Sequence, residues 1–469
     1  MSTFPRISLR PEVTDYLKNV FLNKEVLAAV GHQEAESRFW KLLTCLSHPP
    51  SYTCVRVSTH LAPLEEIRHK LGEELKKHQM CSSSEEEVSF QIFPHPRIPD
   101  VLLLPVDGPR PVKQLSSEVV VGAQCGSAVL RGAHVFIPGI IASPKFMKTG
   151  DAVSVFSDLE GCCTRGATNF QGKRGFVGNG VAQVDRSGIF CTDVPAKGIG
   201  VLMVEPLYQS PSFDGILPNL AFLQVFFHVV QNLPSVVVGH VLGPLPGERI
   251  LDMCAAPGGK TCHIAALMRD QGEVVALEKI KNKIDRIRQN AQILQLSSVK
   301  VYCFNSTKAV SSDSAQEHEG PPFPPESFER VLLDAPCSGL GQRPIMSCTW
   351  SLKEICSYQP LQRKLFHAAV RLLKKGGVLV YSTCTVTLAE NEEQVAWALE
   401  TFPCLTLQPQ EPHIGAEGMP GAGLSPEQLR LLQRFSPELS WDQKGTAAPL
   451  PCRADRDTIG FFIAKFLKK

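Results

Sequence analysis

Residues Arg249 to Thr261, RILDMCAAPGGKT, restrict the fold more than any other stretch of the chain. Four residues of strand character, Arg249-Ile250-Leu251-Asp252, break into a loop of small residues. A helix then begins at Gly259-Lys260-Thr261. Glycine lets a ligand approach the backbone closely, and the first amides of a helix carry partial positive charge. The pattern beyond this loop alternates. Strands are expected over 249–253, 273–278, 299–304, 328–333 and 377–381, and helices over 259–269, 281–295, 360–374 and 389–402. Alternation of this kind specifies a mainly parallel sheet with helices on both faces, an α/β doubly wound core. The apolar run Ile459 to Phe466, IGFFIAKF, reads as a late antiparallel strand at or near the sheet edge.

A chain of 469 residues is too long for one core, so two or three domains are expected. Residues 1–111 read as an α+β unit. One helix starts at Pro11 and a second covers Lys24 to Cys45. A strand follows over Tyr52 to Ser58, then a helix over Leu64 to Lys77 and a strand over Val101 to Leu104. Residues 112–205 hold short strand-like segments divided by glycine turns, the spacing of a compact β-barrel. Residues 206–235 connect, and 236–469 form the α/β core. Ser82 to Glu87 reads as a polar tip, Ser311 to Ser327 as a loop insert and 436–456 as poorly ordered.

Composition narrows the class. Sixteen scattered cysteines without a C-x-x-C pair fit a reducing compartment better than a disulfide framework. A cytoplasmic protein without a metal is therefore expected, and a monomer. No run is apolar enough for a signal peptide or a membrane span. The formal net charge of +2 neither announces nor excludes a nucleic acid partner.

Residues with chemistry gather around the first loop. Glu278 ends the next strand, about 20 residues beyond the glycines, where doubly wound folds place a carboxylate on ribose hydroxyls. A solvated strand end is the plain alternative. Asn305 ends the third strand and has an amide oxygen to accept from an adenine amino group. Gly259-Lys260-Thr261 also fits the end of a phosphate-binding loop, and Val331-Leu332-Leu333-Asp334 resembles the strand that accompanies one. A nucleotide hydrolase is thus a rival reading, weakened because Cys254 stands where the first glycine belongs.

Two cysteines argue against that rival. Strand 328–333 runs into Asp334-Ala335-Pro336-Cys337-Ser338-Gly339, and strand 377–381 into Ser382-Thr383-Cys384-Thr385. If these strands are neighbours, both thiols face one cleft with the glycine loop. Methylation of a pyrimidine at C5 needs such a set. A thiolate adding at C6 makes C5 nucleophilic, a carboxyl group at N3 helps the ring take up charge, and a base removes the C5 proton. Lys260 offers a charge that favours a thiolate; a helix-start lysine facing water is equally consistent with the residues. Strand geometry leaves open which cysteine attacks.

The motifs CAAPGGKT at 254–261, DAPCSG at 334–339, STCT at 382–385 and the closing IGFFIAKF together resemble the Nop/Sun family of RNA cytosine-5 methyltransferases. The resemblance implies Cys384 as nucleophile, Cys337 as the thiol that assists release, and Asp334 and Lys260 beside them. It implies S-adenosylmethionine as cofactor, held by Cys254, Ala255, Ala256, Pro257, Gly258, Gly259 and Lys260 with Glu278, Asn305 and Asp334. The stretch Val121 to Val135, VGAQCGSAVLRGAHV, is similar to a PUA RNA-binding domain, and a PUA domain ahead of this core marks one branch of the family. That layout implies a class I Rossmann-like methyltransferase acting on tRNA at cytosine 72, with the CCA end read by the PUA domain and Arg131 as first candidate RNA contact. Three departures stand out. Asn305 occupies a position where the family usually has Asp, Val225 to Gln231 looks like an extra apolar segment, and Arg165 is the only cation between Asp158 and Phe170. An RNA-binding protein that has lost catalysis is therefore the second rival.

Overall fold

The core is an eight-stranded sheet whose C-terminal segments carry the candidate site. Its elements in chain order are β1 (Arg249–Asp252), α1 (Gly259–Leu267), β2 (Glu273–Glu278), α2 (Lys281–Ile293), β3 (Val299–Cys303), β4 (Phe328–Asp334), α3 (Tyr358–Leu372), β5 (Leu373–Thr383), α4 (Glu392–Thr401), β6 (Leu405–Leu407), β7 (Gln433–Phe435) and β8 (Phe461–Lys468). The order is β3-β2-β1-β4-β5-β8-β6, with β7 also on β8. Strands β1 to β5 are mutually parallel. The chain winds outward from β1 in one direction and then restarts at β4 in the other. The reversal opens a crevice beyond the C-terminal ends of β1 and β4, the place where such sheets bind ligands. β8 is antiparallel to β5 and near the sheet edge, as expected, with only the three-residue strands β6 and β7 outside it. This computed structural model describes residues 6–80, 91–191, 197–211, 223–224, 232–311, 320–437 and 454–469. Ser82 to Glu87, Val225 to Gln231 and most of 436–456 lie outside the described residues.

Both faces of the sheet are dry. Leu251, Val275, Val331, Leu333, Leu379 and Phe462 face one cluster, and Ile250, Val274, Leu332, Val380 and Ile463 face the other. Burial on two sides is why these strands are continuous apolar runs and not alternating ones.

The N-terminal part departs from the expected single helix over Lys24 to Cys45. Two helices, Lys24–Val30 and His32–Leu46, meet at Gly31, whose φ of 80° a helix cannot contain. The second of them and the helix Pro11–Phe21 pack Phe39, Leu43, Leu46 and Leu17 onto Leu340, Ile355 and Val386 of the core. The first helices are thus part of the wall behind the candidate site. A four-stranded antiparallel sheet follows in the order 223–224, Tyr52–Val57, Val101–Pro105, Phe93–Pro94. It is covered by the helix Leu64–Met80 through Ile67, Leu71 and Leu75.

The middle part is a six-stranded sheet in the order Val135–Phe136, Ile199–Pro206, Arg174–Ala182, Ala152–Asp158, Glu118–Val121, Ile140–Ala142. Among the described residues its end strands do not pair with each other, so the strand pairing is that of an open sheet and does not confirm the compact β-barrel expected from the glycine spacing. A helix, Ala123–Leu130, buries Val129 and Leu130 against it.

One buried network joins the N-terminal sheet to the core. The carboxylate of Asp100 accepts from His240 Nε2 at 2.7 Å and from His263 Nε2 at 2.8 Å. These three residues are the group of donor atoms closest to metal-site geometry among the described residues. Their hydrogen bonds already satisfy the carboxylate, and the positive charge of Arg56 acts on His263. The cluster is therefore a charge-balanced tie between domains.

Buried histidines give the fold a pH dependence. His48 is bonded to the Tyr208 phenol, and burial with the Arg343 charge pushes its pKa down to about 3. An unfolded histidine titrates near ~6.5. The folded value is the lower one, so the unfolded chain binds more protons between these two pH values. Stability is full above the unfolded pKa and is lost as pH falls through that window. His263 shifts in the same direction, through burial first. Urea melts should show a lower midpoint at pH 5 than at pH 7.5; equal midpoints would remove this account. No helix among the described residues is long and apolar enough to cross a membrane.

Candidate active site

The site is assembled from the ends of five neighbouring segments. After β1 the chain turns through Met253 to Gly258. Asp252 is buried, and its carboxylate accepts from Thr261 Oγ1 at 2.7 Å and from Cys254 N at 3.3 Å, which ties the loop to the first turn of α1. Burial pushes the Asp252 pKa up to about 6. Gly258 caps α1 with φ of 101°, and a Cβ there would lie 3.1 Å from Ile287. No side chain caps this helix, so its first-turn N–H groups remain open to a ligand.

Further along the crevice, Glu278 ends β2. One of its oxygens accepts from Ile280 N at 2.8 Å, which leaves the other for a hydroxyl pair. Asn305 follows β3 but is arranged differently from expectation. Its Oδ1 already accepts from Thr307 N at 3.2 Å and from Thr307 Oγ1 at 2.9 Å. Two bonds fill an amide oxygen, so the group left for a ligand is the donor Nδ2.

The catalytic set lies at the ends of β4 and β5. These strands run in register, with Asp334 opposite Ser382, so their following loops leave the sheet at the same level. Cys337 and Cys384 consequently meet, Sγ to Sγ 3.4 Å. Asp334 is held on both oxygens, by Lys260 Nζ at 2.8 Å and by Ser382 Oγ at 2.6 Å. Lys260 therefore does not face water; it lies over the Phe461 ring, bound to Asp334.

The surroundings of the two thiols differ. The Cys384 pKa is lowered, first by the hydrogen bond from Cys337, with Gln342 and the Lys260 charge assisting. The Cys337 pKa is raised by that same bond, by burial and by the negative charge of Glu390. The two shifts run in opposite directions, Cys384 toward the thiolate and Cys337 toward the thiol, and the hydrogen bond the two sulfurs share is the largest cause of both.

Three supports escape a reading of the sequence. Glu390, buried, accepts from Ser338 N at 2.9 Å, Ser338 Oγ at 2.6 Å, Thr387 Oγ1 at 2.9 Å and Gln362 Nε2 at 3.1 Å. Ser338 Oγ also lies 2.7 Å from Thr385 Oγ1, so one carboxylate locks the Cys337 loop to the Cys384 loop. Gly341 N donates to Cys384 O at 3.0 Å, and Gly460 N to Gly341 O at 2.8 Å. A Cβ on Gly341 would stand 2.1 Å from Gly460 O, so this crossing tolerates only glycine. The glycine before β8 is the one sequence signal of this contact. Arg131, the first candidate RNA contact, lines a crevice with Pro49, Tyr52, Asn232, Gln342 and Arg343. Burial lowers its pKa.

Comparison with known proteins agrees with this geometry. The family described as 16S rRNA methyltransferase RsmB/F matches residues 239–467. The chain is 58% identical to tRNA (cytosine(72)-C(5))-methyltransferase NSUN6 of Homo sapiens, over 100% of this chain and 99% of that protein. It is 30% identical to the tRNA (cytosine(72)-C(5))-methyltransferase of Pyrococcus horikoshii, over 100% and 98%. The crystal structure of NSun6 from Pyrococcus horikoshii with SFG superposes with a TM-score of 0.73 at 28% identity, covering 98% of each chain. With two apposed thiols, a lysine-bound aspartate and whole-length relatives of one kind, the chain belongs to the Nop/Sun family of RNA cytosine-5 methyltransferases.

Proposed function

We propose that this chain is an S-adenosylmethionine-dependent tRNA cytosine-5 methyltransferase acting at cytosine 72. The observation that carries the reading is the Cys337–Cys384 pair, 3.4 Å apart beside Asp334. A nucleotide hydrolase has no use for that pair, and its phosphate-binding lysine would not be committed to Asp334. When bound, S-adenosylmethionine supplies an electrophilic methyl group. The residues along the crevice suit it: Ala255 and Ala256 are small, the open amides of α1 would face its polar end, Glu278 would hold its ribose hydroxyls and Asn305 its adenine.

The chain's own residues then carry the reaction on the base. The Cys384 thiolate adds to C6 of the cytosine and makes C5 nucleophilic. Asp334, fixed by Lys260 and Ser382, passes a proton received from Lys260 to N3 as the ring takes up the electron pair of the sulfur. After methyl transfer Cys337, its own proton having passed to solvent, removes the C5 proton, and the C6–sulfur electron pair returns to Cys384. The base must leave its stack to reach this cleft, which is least costly at the end of a helix. Our reading assigns 1–111 to the N-terminal unit, 112–205 to a PUA-type RNA-binding module, 206–235 to a connection and 236–469 to the methyltransferase. The protein works in the cytoplasm as a monomer, with the CCA end of tRNA against the middle module.

Methyl-labelled S-adenosylmethionine and a tRNA transcript ending in CCA test this directly. Label should appear in 5-methylcytosine at position 72 and vanish when that cytosine is replaced by uracil. Binding of the tRNA without any label transfer sinks the enzyme reading and favours a binder that has lost catalysis.

A further inference from the structure

Trp350 is one of the few large apolar side chains left open, with 36% of its surface exposed. Its ring is stacked on Tyr358, centroids 5.6 Å apart and planes 13° from parallel. The stack is built, not incidental. Ser351, next in the chain, forms a reciprocal capping box with Glu354 at the start of the short helix Leu352–Cys356. That helix runs through Ser357 directly into α3, so Trp350 and Tyr358 bracket it and close on each other. Tyr358 covers one face of the indole, and the exposed face is left for a partner.

The position of the stack relative to the thiols gives it meaning. Four residues along α3 from Tyr358, and so on the same helix face, Gln362 donates to Pro336 O at 2.9 Å. Pro336 immediately precedes Cys337. One helical turn, about 6 Å, therefore separates the ring from the residue that clamps the Cys337 loop. Burial raises the Tyr358 phenol pKa, and the charges of Cys337, Glu390, Glu354 and Cys384 add to the rise, as expected for a ring beside the thiol pair. An open aromatic face at the lip of a cleft that receives a single unstacked base is the chemistry of a stacking platform.

We infer that Trp350, backed by Tyr358, is a binding subsite for a nucleobase that flanks the target cytosine. The inference rests on the proposed RNA substrate and adds where the strand beside the flipped base is held. Stacking compensates part of the cost of unstacking that flank, and it fixes the strand so that C6 of the target meets Cys384.

The test compares wild type, W350A and W350F with a dye-labelled acceptor-stem hairpin ending in single-stranded CCA. Equilibrium binding is read by anisotropy and methyl transfer in parallel. Removing a stacking side chain should weaken RNA binding about tenfold or more, with KM rising alongside. W350F should keep most of the affinity. S-adenosylmethionine affinity and melting temperature should stay at wild-type values. Abasic nucleotides are then placed one at a time around the target. At one flanking position the abasic penalty should be large in wild type and nearly absent in W350A. W350A binding within twofold of wild type, or undiminished abasic penalties at every position, overturns the platform. The binding arm needs no turnover, so failure of the proposed reaction and failure of the platform are read separately.

Discussion

Cys384→Ala should abolish methyl transfer and form no covalent complex with RNA, whereas Cys337→Ala should trap one that survives denaturation. The asymmetry arises from the environment of each sulfur. Cys384 receives the hydrogen bond of Cys337 and the charge of Lys260, so it is the sulfur able to attack C6. Without it no adduct forms, and turnover falls by the many orders that separate a covalent route from none. The hydrogen bond with Cys384, burial and the Glu390 charge all raise the Cys337 pKa, which disfavours its thiolate. Without Cys337 the adduct still forms and takes the methyl group, but the C5 proton has no base within reach and release stalls. Denaturing electrophoresis with labelled RNA reads both outcomes. A trapped complex with Cys384→Ala, or free turnover by Cys337→Ala, would reverse the assignment. Asp334→Asn should slow transfer while leaving the thiol pair intact, because the amide oxygen still accepts from Lys260 and the amide nitrogen can donate to Ser382 Oγ.

Much of this site is readable because a parallel sheet writes its geometry plainly. Strands buried on both faces are unbroken apolar runs, and the residues just past each run lie along one edge. Asp334-Ala335-Pro336-Cys337 and Ser382-Thr383-Cys384 can therefore be placed together from the sequence, and the Asp334–Ser382 register bears this out. Glu390 cannot. A glutamate in a polar stretch reads as a surface residue, and only tertiary packing reveals that it lies buried behind both cysteines. Nor can the direction of Asn305, because its oxygen is taken by a residue two positions on, a local turn that strand patterns do not encode. The break at Gly31 is hidden because apolar residues continue at helical spacing on both sides of it. Closure of the middle sheet is not legible either, because glycine spacing marks turns between strands but says nothing of how the end strands pair. Arg131 reads as a surface cation by its charge alone, and the crevice around it belongs to residues distant in the chain.

Arg343→Ala should destabilise the fold severely, although Arg343 takes no part in the chemistry on the base. The Arg343 side chain has no exposed surface, and its guanidinium joins three parts of the chain. It donates to Asp457 Oδ1 at 2.6 Å and to Thr458 O at 2.8 Å in the segment that leads into β8. It also donates to Cys45 O at 2.8 Å and His48 O at 3.0 Å, where the third N-terminal helix ends. Removing it leaves the buried Asp457 carboxylate without its cation, held only by Ser51 N at 2.9 Å, and takes a donor from the Thr458 and His48 carbonyls. Breaking one half of a buried ion pair costs about 3–5 kcal/mol, a large share of the ~5–15 kcal/mol that keeps a domain folded. The same substitution loosens the wall behind the site, because Gly341, two residues earlier, holds the Cys384 carbonyl. Thermal melting followed by circular dichroism should show a drop of many degrees for Arg343→Ala. The double variant Arg343→Met with Asp457→Leu should recover part of it, since the uncompensated charge is gone while the volume is kept. A double variant no more stable than Arg343→Ala would show that the carbonyl contacts to Cys45 and His48, and not the ion pair, hold the N-terminal helices against the core.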